Sequence, residues 1–292
     1  MEREKLPGHS NICDWILSKD FGIREIPRIS LYHLFAAQIG FPEHKHTFME
    51  VRYLRSGQQC YRVEGREILL KGGEVLVTYA GESHESAGNV LGRGVLFCLR
   101  IALPRLRGRF LMLSPSQAAP VVDRLRSLPR RHFSGDKRLR RATDELLSRV
   151  QSERNELSGV ELRCALLEWI LAFLNCAAGG KSAETSPDIL RALQLIHAET
   201  GRLATIKELA AVAGLSPSRF KAKFKQQVGM PPVEYVLSRK ISLAVRQLRD
   251  NPERSIAKIA FSLGFSSSNY FATVFRRITN RTPSDYRNEP RV

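Results

Sequence analysis

His44, His46 and Glu50 are spaced HxHxxxE, and His84 follows in the run Gly73-x7-Gly81-x2-His84. Three imidazoles and a carboxylate are enough donors for a Zn, Fe, Mn or Ni ion. The same groups can instead hydrogen-bond one another or an organic ligand. Side chains alternate along a strand, so His44 and His46 share a face there, and an unbroken strand would put Glu50 on it too. His84 must then arrive from another strand. Arg52, Tyr53, Tyr61, Tyr79 and Glu82 are further candidates to line such a pocket.

A second set of residues has the chemistry to read a duplex. Ile206, Leu209, Ala210, Gly214 and Ser216 recur fifty positions on as Ile256, Ile259, Ala260, Gly264 and Ser266. Phe220, Phe224, Pro232 and Tyr235 recur fifty-one positions on as Phe271, Phe275, Pro283 and Tyr286. Burying each Phe pair turns Ser218, Lys221, Ala222 and Lys225 outward in the first copy, and Asn269, Ala272, Thr273 and Arg276 in the second. Asn pairs with adenine, Lys or Arg with guanine, and Ala or a Thr methyl touches the thymine methyl. Lys223, Lys225, Arg276 and Arg277 could equally sit on phosphates, which position without specifying.

The elements that must hold these groups follow from pattern. In the first copy Ile206, Leu209, Ala210 and Ala213 form a helical stripe, which Gly214 ends where a left-handed residue is needed. Ser216 caps the next helix and Pro217 opens it. Two helices joined by a short Gly-containing turn read as helix-turn-helix, twice over. Upstream, apolar or alternating runs at 29–39, 48–54, 59–63, 66–70, 74–79 and 95–101 alternate with the turn signals Gly40-Phe-Pro42, Ser56-Gly57, Glu64-Gly65, Lys71-Gly72-Gly73 and Gly81. Short strands with Gly turns predict a sandwich or small barrel. Residues 103–141 are crowded with Arg and cut into short pieces by Pro104, Pro115, Pro120 and Pro129. A solvated basic surface is the plain reading of that stretch, and a contact to the DNA backbone the sharper one. Two helical stripes follow, Leu139, Thr143, Leu146, Leu147 and Val150, then Leu162, Leu166, Trp169, Ile170 and Phe173. They could pair across a homodimer or pack on the barrel. Residues 177–187 read as a flexible linker.

Residues 187–292 resemble the DNA-binding domain of AraC/XylS-type transcription regulators. The likeness is densest at Ile259-Ala260, Gly264-Phe265, Tyr270-Phe271, Phe275-Arg276, Thr282-Pro283 and Tyr286-Arg287, with Asn280 where that family usually has Gly. It implies seven helices, a long one over about 232–249 linking the two units, and both recognition helices in successive major grooves. Residues 44–84 resemble the two cupin motifs, which would make His44, His46, Glu50 and His84 metal ligands in a β-barrel. Gln38 replaces a Gly of the first motif and Tyr79 a Pro of the second. Sensor domains of AraC-type regulators are often cupin-like and often keep HxHxxxE without any metal.

Charge and cysteine content bound the partners. The 292 residues carry +17, and residues 187–292 hold 18 Lys and Arg against 8 Asp and Glu, a net +10 that suits DNA. The other +7 lies upstream. Cys13, Cys60, Cys98, Cys164 and Cys176 are odd in number and form no CxxC pair, so a zinc finger or disulfide framework is not expected and isolated buried thiols in a reducing cytoplasm are. The first 25 residues are studded with charges, unlike a signal peptide. The most apolar stretch, Cys164 to Ala178, is too short for a membrane span.

The expected architecture is α+β and multidomain: a cupin-like sensor barrel over 1–105, a basic segment and helical connector over 106–178 able to dimerise, a linker over 179–187, and a tandem helix-turn-helix domain over 188–292. The expected function is a DNA-binding transcription regulator, an activator by resemblance. A small effector such as a sugar would bind in the barrel at His44, His46, Glu50, Tyr61 and His84. The resemblance adds RNA polymerase as a partner. A metal-dependent cupin enzyme tethered to a DNA-binding domain is the rival reading. A barrel that serves only to dimerise is a third.

Overall fold

The computed structural model describes residues 2–5, 12–34, 38–39, 41–87, 90–91, 94–104, 109–152, 155–179, 185–198, 204–228, 230–279 and 281–288. Its strands are β1 (Glu2–Lys5), β2 (Ile12–Leu17), β3 (Arg28–Leu34), β4 (Gln38–Ile39), β5 (Met49–Val63), β6 (Arg66–Lys71), β7 (Glu74–Thr78), β8 (His84–Ser86), β9 (Val90–Leu91), β10 (Gly94–Ile101) and β11 (His132–Ser134). A four-residue helix α1 (Ser18–Phe21) follows β2. Next come α2 (Pro115–Arg126), α3 (Lys137–Gln151) and α4 (Ser158–Gly179). The C-terminal set is α5 (Pro187–His197), α6 (Ile206–Ala213), α7 (Pro217–Val228), α8 (Pro232–Asp250), α9 (Ile256–Ser262), α10 (Ser268–Thr279) and α11 (Pro283–Arg287).

One strand organises the N-terminal half. β5 has 15 residues; its first half lies between β10 and β7, and its second half pairs with β6 and β8. All these pairings are antiparallel. The Ser56-Gly57 signal, expected to be a turn, is therefore a bend inside a continuous strand. The register with β10 slips at Val95/Leu96, and Gly94 comes so close that a Cβ there would lie 2.2 Å from the Ser56 carbonyl oxygen. An extra residue at such a bulge sharpens strand twist and lets one strand serve two sheets.

The two faces of the sheet differ as period-two alternation requires. Leu54 and Tyr61 of β5, Leu70 of β6, Leu76 of β7, Leu96 and Cys98 of β10, and Tyr32 of β3 share the barrel interior. Val51, Tyr53, Val75, Val77, Phe97 and Leu99 face the other way and join one core with α2, α3 and α4. Both helical stripes expected from the sequence, including Leu146, Leu166, Trp169 and Phe173, are buried in that core. They pack on the barrel rather than standing free for a partner. The Trp169 indole donates to Thr143 Oγ1 at 2.9 Å, which satisfies its one polar atom.

Two expectations for the connector change. Pro120 does not break the chain: α2 runs through it, because Pro120 and Ser116, whose carbonyl loses its partner, are both on the solvent side. The apolar stretch around 164–178 belongs to a helix of 22 residues. Among the described residues it is the one helix long and apolar enough to cross a membrane, yet 56% of its apolar window is buried inside the protein. Cys164 on its outer face is exposed, unlike the four other cysteines, and all five are free thiols.

The C-terminal half has seven helices among its described residues, with α8 joining two units as expected. α5, α6 and α7 pack around Phe220 and Phe224; α9 and α10 pack on the second half of α8 around Phe271 and Phe275. Thr205 caps α6 in a capping box with Glu208, and Gly214 ends it at φ 70°, a left-handed backbone that a side chain would strain. Asn280 lies outside the described residues.

Candidate functional site

His44 and His46 do not sit on a strand. They belong to the loop before β5, where His44 forms an isolated bridge with His84 of β8. The strand begins at Met49, so Glu50 shares their site because the loop folds back, and not through simple alternation. The three imidazoles cluster, with ring centroids 4.3 Å apart for His44 and His84 and 4.6 Å for His46 and His84. Their donor nitrogens all fall within 4.8 Å of one another.

Two contacts fix the ring tautomers. His44 Nδ1 lies 2.8 Å from the Pro42 carbonyl oxygen, and His84 Nδ1 lies 3.0 Å from that of Glu82. A carbonyl can only accept, so each Nδ1 carries a hydrogen and each Nε2 is the nitrogen turned to the shared space. His84 Nε2 and both nitrogens of His46 are buried without a hydrogen-bond partner. Burial, with Arg52 close by, pushes His84 down to about 4, so its ring is neutral near pH 7. A neutral imidazole with an unengaged nitrogen, held from behind by a backbone carbonyl as His84 is, is what a divalent metal requires.

Glu50 is placed differently from the expectation that it is a free ligand. Burial alone would raise its carboxyl. Arg52, His46 and Arg100 outweigh that and hold it well below the usual carboxylate range. Arg52 pairs with Oε2, and Arg100 donates to Oε1 at 2.9 Å. His46 Nε2 and His84 Nε2 stand 3.7 and 3.8 Å from Oε2, beyond a hydrogen bond but at the edge of the same space. The His trio therefore fits a metal, with Glu50 as a clamped carboxylate beside it.

Of the other pocket candidates, Arg52 and Tyr61 lie inside the barrel, with the guanidinium 5.0 Å from the phenol ring centroid. The Tyr61 hydroxyl is buried and unpaired. Tyr53, Tyr79 and Glu82 are not pocket residues. Tyr53 faces the helices. The Tyr79 hydroxyl donates to the Leu125 carbonyl, and Glu82 accepts from the Tyr79 amide and pairs with Arg131.

In the C-terminal domain, Ser218, Lys221, Ala222 and Lys225 of α7 are exposed, as are Asn269, Thr273 and Arg276 of α10; Ala272 is half-buried. The barrel covers none of these seven exposed residues. The Thr273 hydroxyl donates to the Asn269 carbonyl at 3.0 Å. Lys223, one of the candidate phosphate contacts, is committed elsewhere: its Nζ pairs with Asp188 at 2.7 Å.

The sequence reading missed how the two halves meet. Cys60, Leu69 and Ala87 of the barrel share a core with α5–α8. Glu67 of β6 accepts from His197, the last residue of α5, at 2.7 Å, and the Tyr235 hydroxyl of α8 lies 2.9 Å from the other ring nitrogen. A lone His at the end of an apolar helical stripe was the available signal, but its partner is 130 residues away.

A helix-turn-helix domain model matches residues 209–289, and an AraC-like ligand-binding domain model matches residues 27–171. A putative AraC-like transcription regulator of Streptomyces lividans is 34% identical over 116 residues, 40% of this chain, and the chain spans 38% of that relative's length. The transcriptional activator RhaS of Escherichia coli is 29% identical over 257 residues, 86% of this chain and 88% of its own. The C-terminal domain of AraT, a response regulator from Geobacillus stearothermophilus, aligns at 25% identity over 37% of this chain and 88% of that one, with a TM-score of 0.34. The two models together take in both the sensor half and the paired helix-turn-helix units, and the chain belongs to the AraC-type transcription regulators.

Proposed function

We propose that the chain is an effector-controlled, DNA-binding transcription activator of the cytoplasm. Residues 1–105 sense, 106–178 connect and dimerise, and 188–292 read DNA. The observation that carries the DNA-binding role is the pair of outward faces on α7 and α10, which stay open to solvent while the barrel is docked. Ser218, Lys221, Ala222 and Lys225 would read one major-groove segment, and Asn269, Ala272, Thr273 and Arg276 the next. The matched relatives are transcription regulators, RhaS an activator by name, which supports this reading over a tethered enzyme and makes RNA polymerase the expected protein partner. Selection of the full chain against random duplex DNA tests it. A bipartite consensus should emerge, with one half eroded by Lys221→Ala and the other by Asn269→Ala. No enriched sequence at all would overturn the proposal.

The orphaned polar atoms in the barrel support a bound effector there, and those of His46 and His84 favour a metal ion as all or part of it. His44, His46 and His84 would hold the ion; when bound, it would supply a Lewis-acidic anchor for an oxygen ligand such as a sugar hydroxyl. The protein's own residues orient that ligand: Arg52 and Arg100 fix Glu50, and Tyr61 offers a hydroxyl. Elemental mass spectrometry of protein purified without tag or chelator should find about one more equivalent of metal per chain in the wild type than in His44→Ala/His46→Ala. Metal-free wild-type protein would leave an organic effector alone.

The homodimer rests on the outer face of α4 and the turn that leads into it. Leu157, Val160, Cys164, Leu167 and Leu171 follow spacings of three and four, and Leu157, Val160 and Leu171 are exposed. Such spacing makes a coiled-coil seam. Leu171→Glu should convert dimer to monomer in sedimentation equilibrium; an unchanged mass would remove this seam from the assembly.

A further inference from the structure

We propose that Cys60, Glu67 and His197 form a second metal site, which clamps the barrel to the DNA-binding domain around a zinc-class divalent ion. Cys60 lies on the second half of β5 and Glu67 on its neighbour β6. Cys60 faces away from the barrel interior occupied by the adjacent Tyr61, and packs among residues of α5–α8. His197 closes α5. The Cys60 Sγ stands 4.0 Å from His197 Nδ1, which stands 2.7 Å from Glu67 Oε2, and one donor atom from each residue falls within a 4.8 Å cluster.

The groups behind the three donors aim them inward. Arg62 donates to Glu67 Oε1 at 2.9 Å, which leaves Oε2 for the shared space. The Tyr235 hydroxyl stands 2.9 Å from His197 Nε2. Without an ion, Nδ1–H donates to Glu67 Oε2 and the Tyr235 hydroxyl donates to Nε2. A metal ion would take the place of that Nδ1 proton, with an Nε2–H then donating to the Tyr235 oxygen. Second-shell partners of this kind orient imidazole and carboxylate ligands in metal sites generally. The thiol beside them tips the balance to the metal, because sulfur with imidazole selects zinc-class ions. Zinc bonds of about 2.0–2.3 Å set donors roughly 3.3–3.8 Å apart, so the thiol would move in by a few tenths of an ångström and the carboxylate back by less than about 1 Å. On binding, the Cys60 thiol proton and the proton shared by His197 and Glu67 leave for solvent, and no electron is transferred.

Two ligands come from one domain and one from the other, so the ion binds only the docked arrangement. It would stabilise that arrangement by mass action and fix how α7 and α10 are presented. A 710 Å3 cleft between the domains, lined by Cys60, His197, Tyr235 and Gln58, gives the ion a way in.

Cobalt(II) titration of the metal-free full chain tests the assignment, because a thiolate ligand adds a near-ultraviolet sulfur-to-cobalt charge-transfer band that the sulfur-free barrel trio lacks. One such band per chain is expected. It should vanish in Cys60→Ser, need at least ~100-fold more cobalt in His197→Gln, and persist both in His44→Ala/His46→Ala and in Cys164→Ser, which removes the exposed thiol. Circular dichroism checks that each variant is folded; should Cys60→Ser unfold, a right shift of the titration in Glu67→Gln carries the same conclusion. No band in the wild type, a band that survives in folded Cys60→Ser, or one lost in Cys164→Ser would overturn the proposal.

Discussion

In the DNA-binding domain, Phe220 and Phe224, and again Phe271 and Phe275, fill two small cores at 0% exposure, while the residues offered to DNA lie on the opposite helix faces. The barrel does the reverse. Glu50, Arg52 and His84 are inside it at 4% exposure or less, among Tyr32, Leu54, Tyr61 and Leu96. Polar groups held outside cost little and wait for a large, charged partner. Polar groups held inside cost several kcal/mol each unless paired, so their presence points to a ligand that completes them. The same chain therefore keeps one surface for recognition and one interior for sensing, and the two should fail differently.

The largest effect should come from the interior. Glu50→Ala leaves the Arg52 guanidinium buried with its main counter-charge gone, which costs ~3–5 kcal/mol. Chemical denaturation should show the barrel transition moving by that amount while the helix-turn-helix transition stays put. A shift below about 1 kcal/mol would mean that Arg52 is solvated, and that the barrel interior is not the closed environment described above.

His84 sharpens the contrast through pH. Its ring is pushed down to about 4 in the folded state, against an ordinary value of 6.5. Between pH 6.5 and 4 the unfolded chain therefore takes up a proton that the folded chain refuses. Stability is intact above 6.5 and falls as pH drops through this window, by about 2–3 kcal/mol in total. Glu50 adds loss on the acid side, below the ordinary carboxylate range, since its folded value is depressed. Melting curves of chelator-treated protein should show the barrel weakening from pH 6.5 downward, and His84→Asn should flatten that slope. A slope of equal size in the variant would assign it to other groups.

The recognition faces predict a smaller change, and in affinity alone. Lys221→Ala should weaken binding to the selected DNA by ~1–3 kcal/mol with no change in melting temperature. Lys223→Ala should cost less in affinity, because that ammonium already pairs with Asp188. Its loss should show instead as a slight destabilisation, within the range of ~0.2–1 kcal/mol usual for exposed pairs. Equal affinity losses in both variants would mean that the ion pair opens on DNA.

What could be read from the sequence divides along the same line. The helix-turn-helix units are built from local signals: Gly214, Ser216 and Pro217 mark ends within a few residues of the stripes they bound, and α6 ends and α7 begins where those signals fall. The barrel depends on pairings between distant residues. HxHxxxE named histidines that cluster with His84, but the loop geometry that brings His44 to His84, and the Arg clamp on Glu50, are set by Arg100 and β8, far along the chain. Tyr53 and Tyr61 look alike in sequence, yet the bend at Ser56-Gly57 sits between them, and one faces the helices while the other faces the interior. The seam at Glu67, His197 and Tyr235 left one local trace, the His that closes the α5 stripe, and its partner lies 130 residues away.

The smallest test asks whether the local signals carry energy in proportion to how plainly they read. Thr205 Oγ1 accepts from the Glu208 amide at 3.3 Å, and Glu208 Oε2 accepts from the Thr205 amide at 2.6 Å; Thr282 and Asp285 repeat the arrangement at the start of α11. Thr205→Ala removes one acceptor at a helix end and should cost about 1 kcal/mol. α6 packs on α5 and α7, so the loss should appear in the melting of the whole first unit and leave barrel stability unchanged. The effect should also hold steady from pH 6 to 8, because the lost contact is a hydroxyl's and not a charge's. A cost several times larger, or one that spreads to the barrel, would mean that the seam through His197 couples the two halves more tightly than their separate cores suggest.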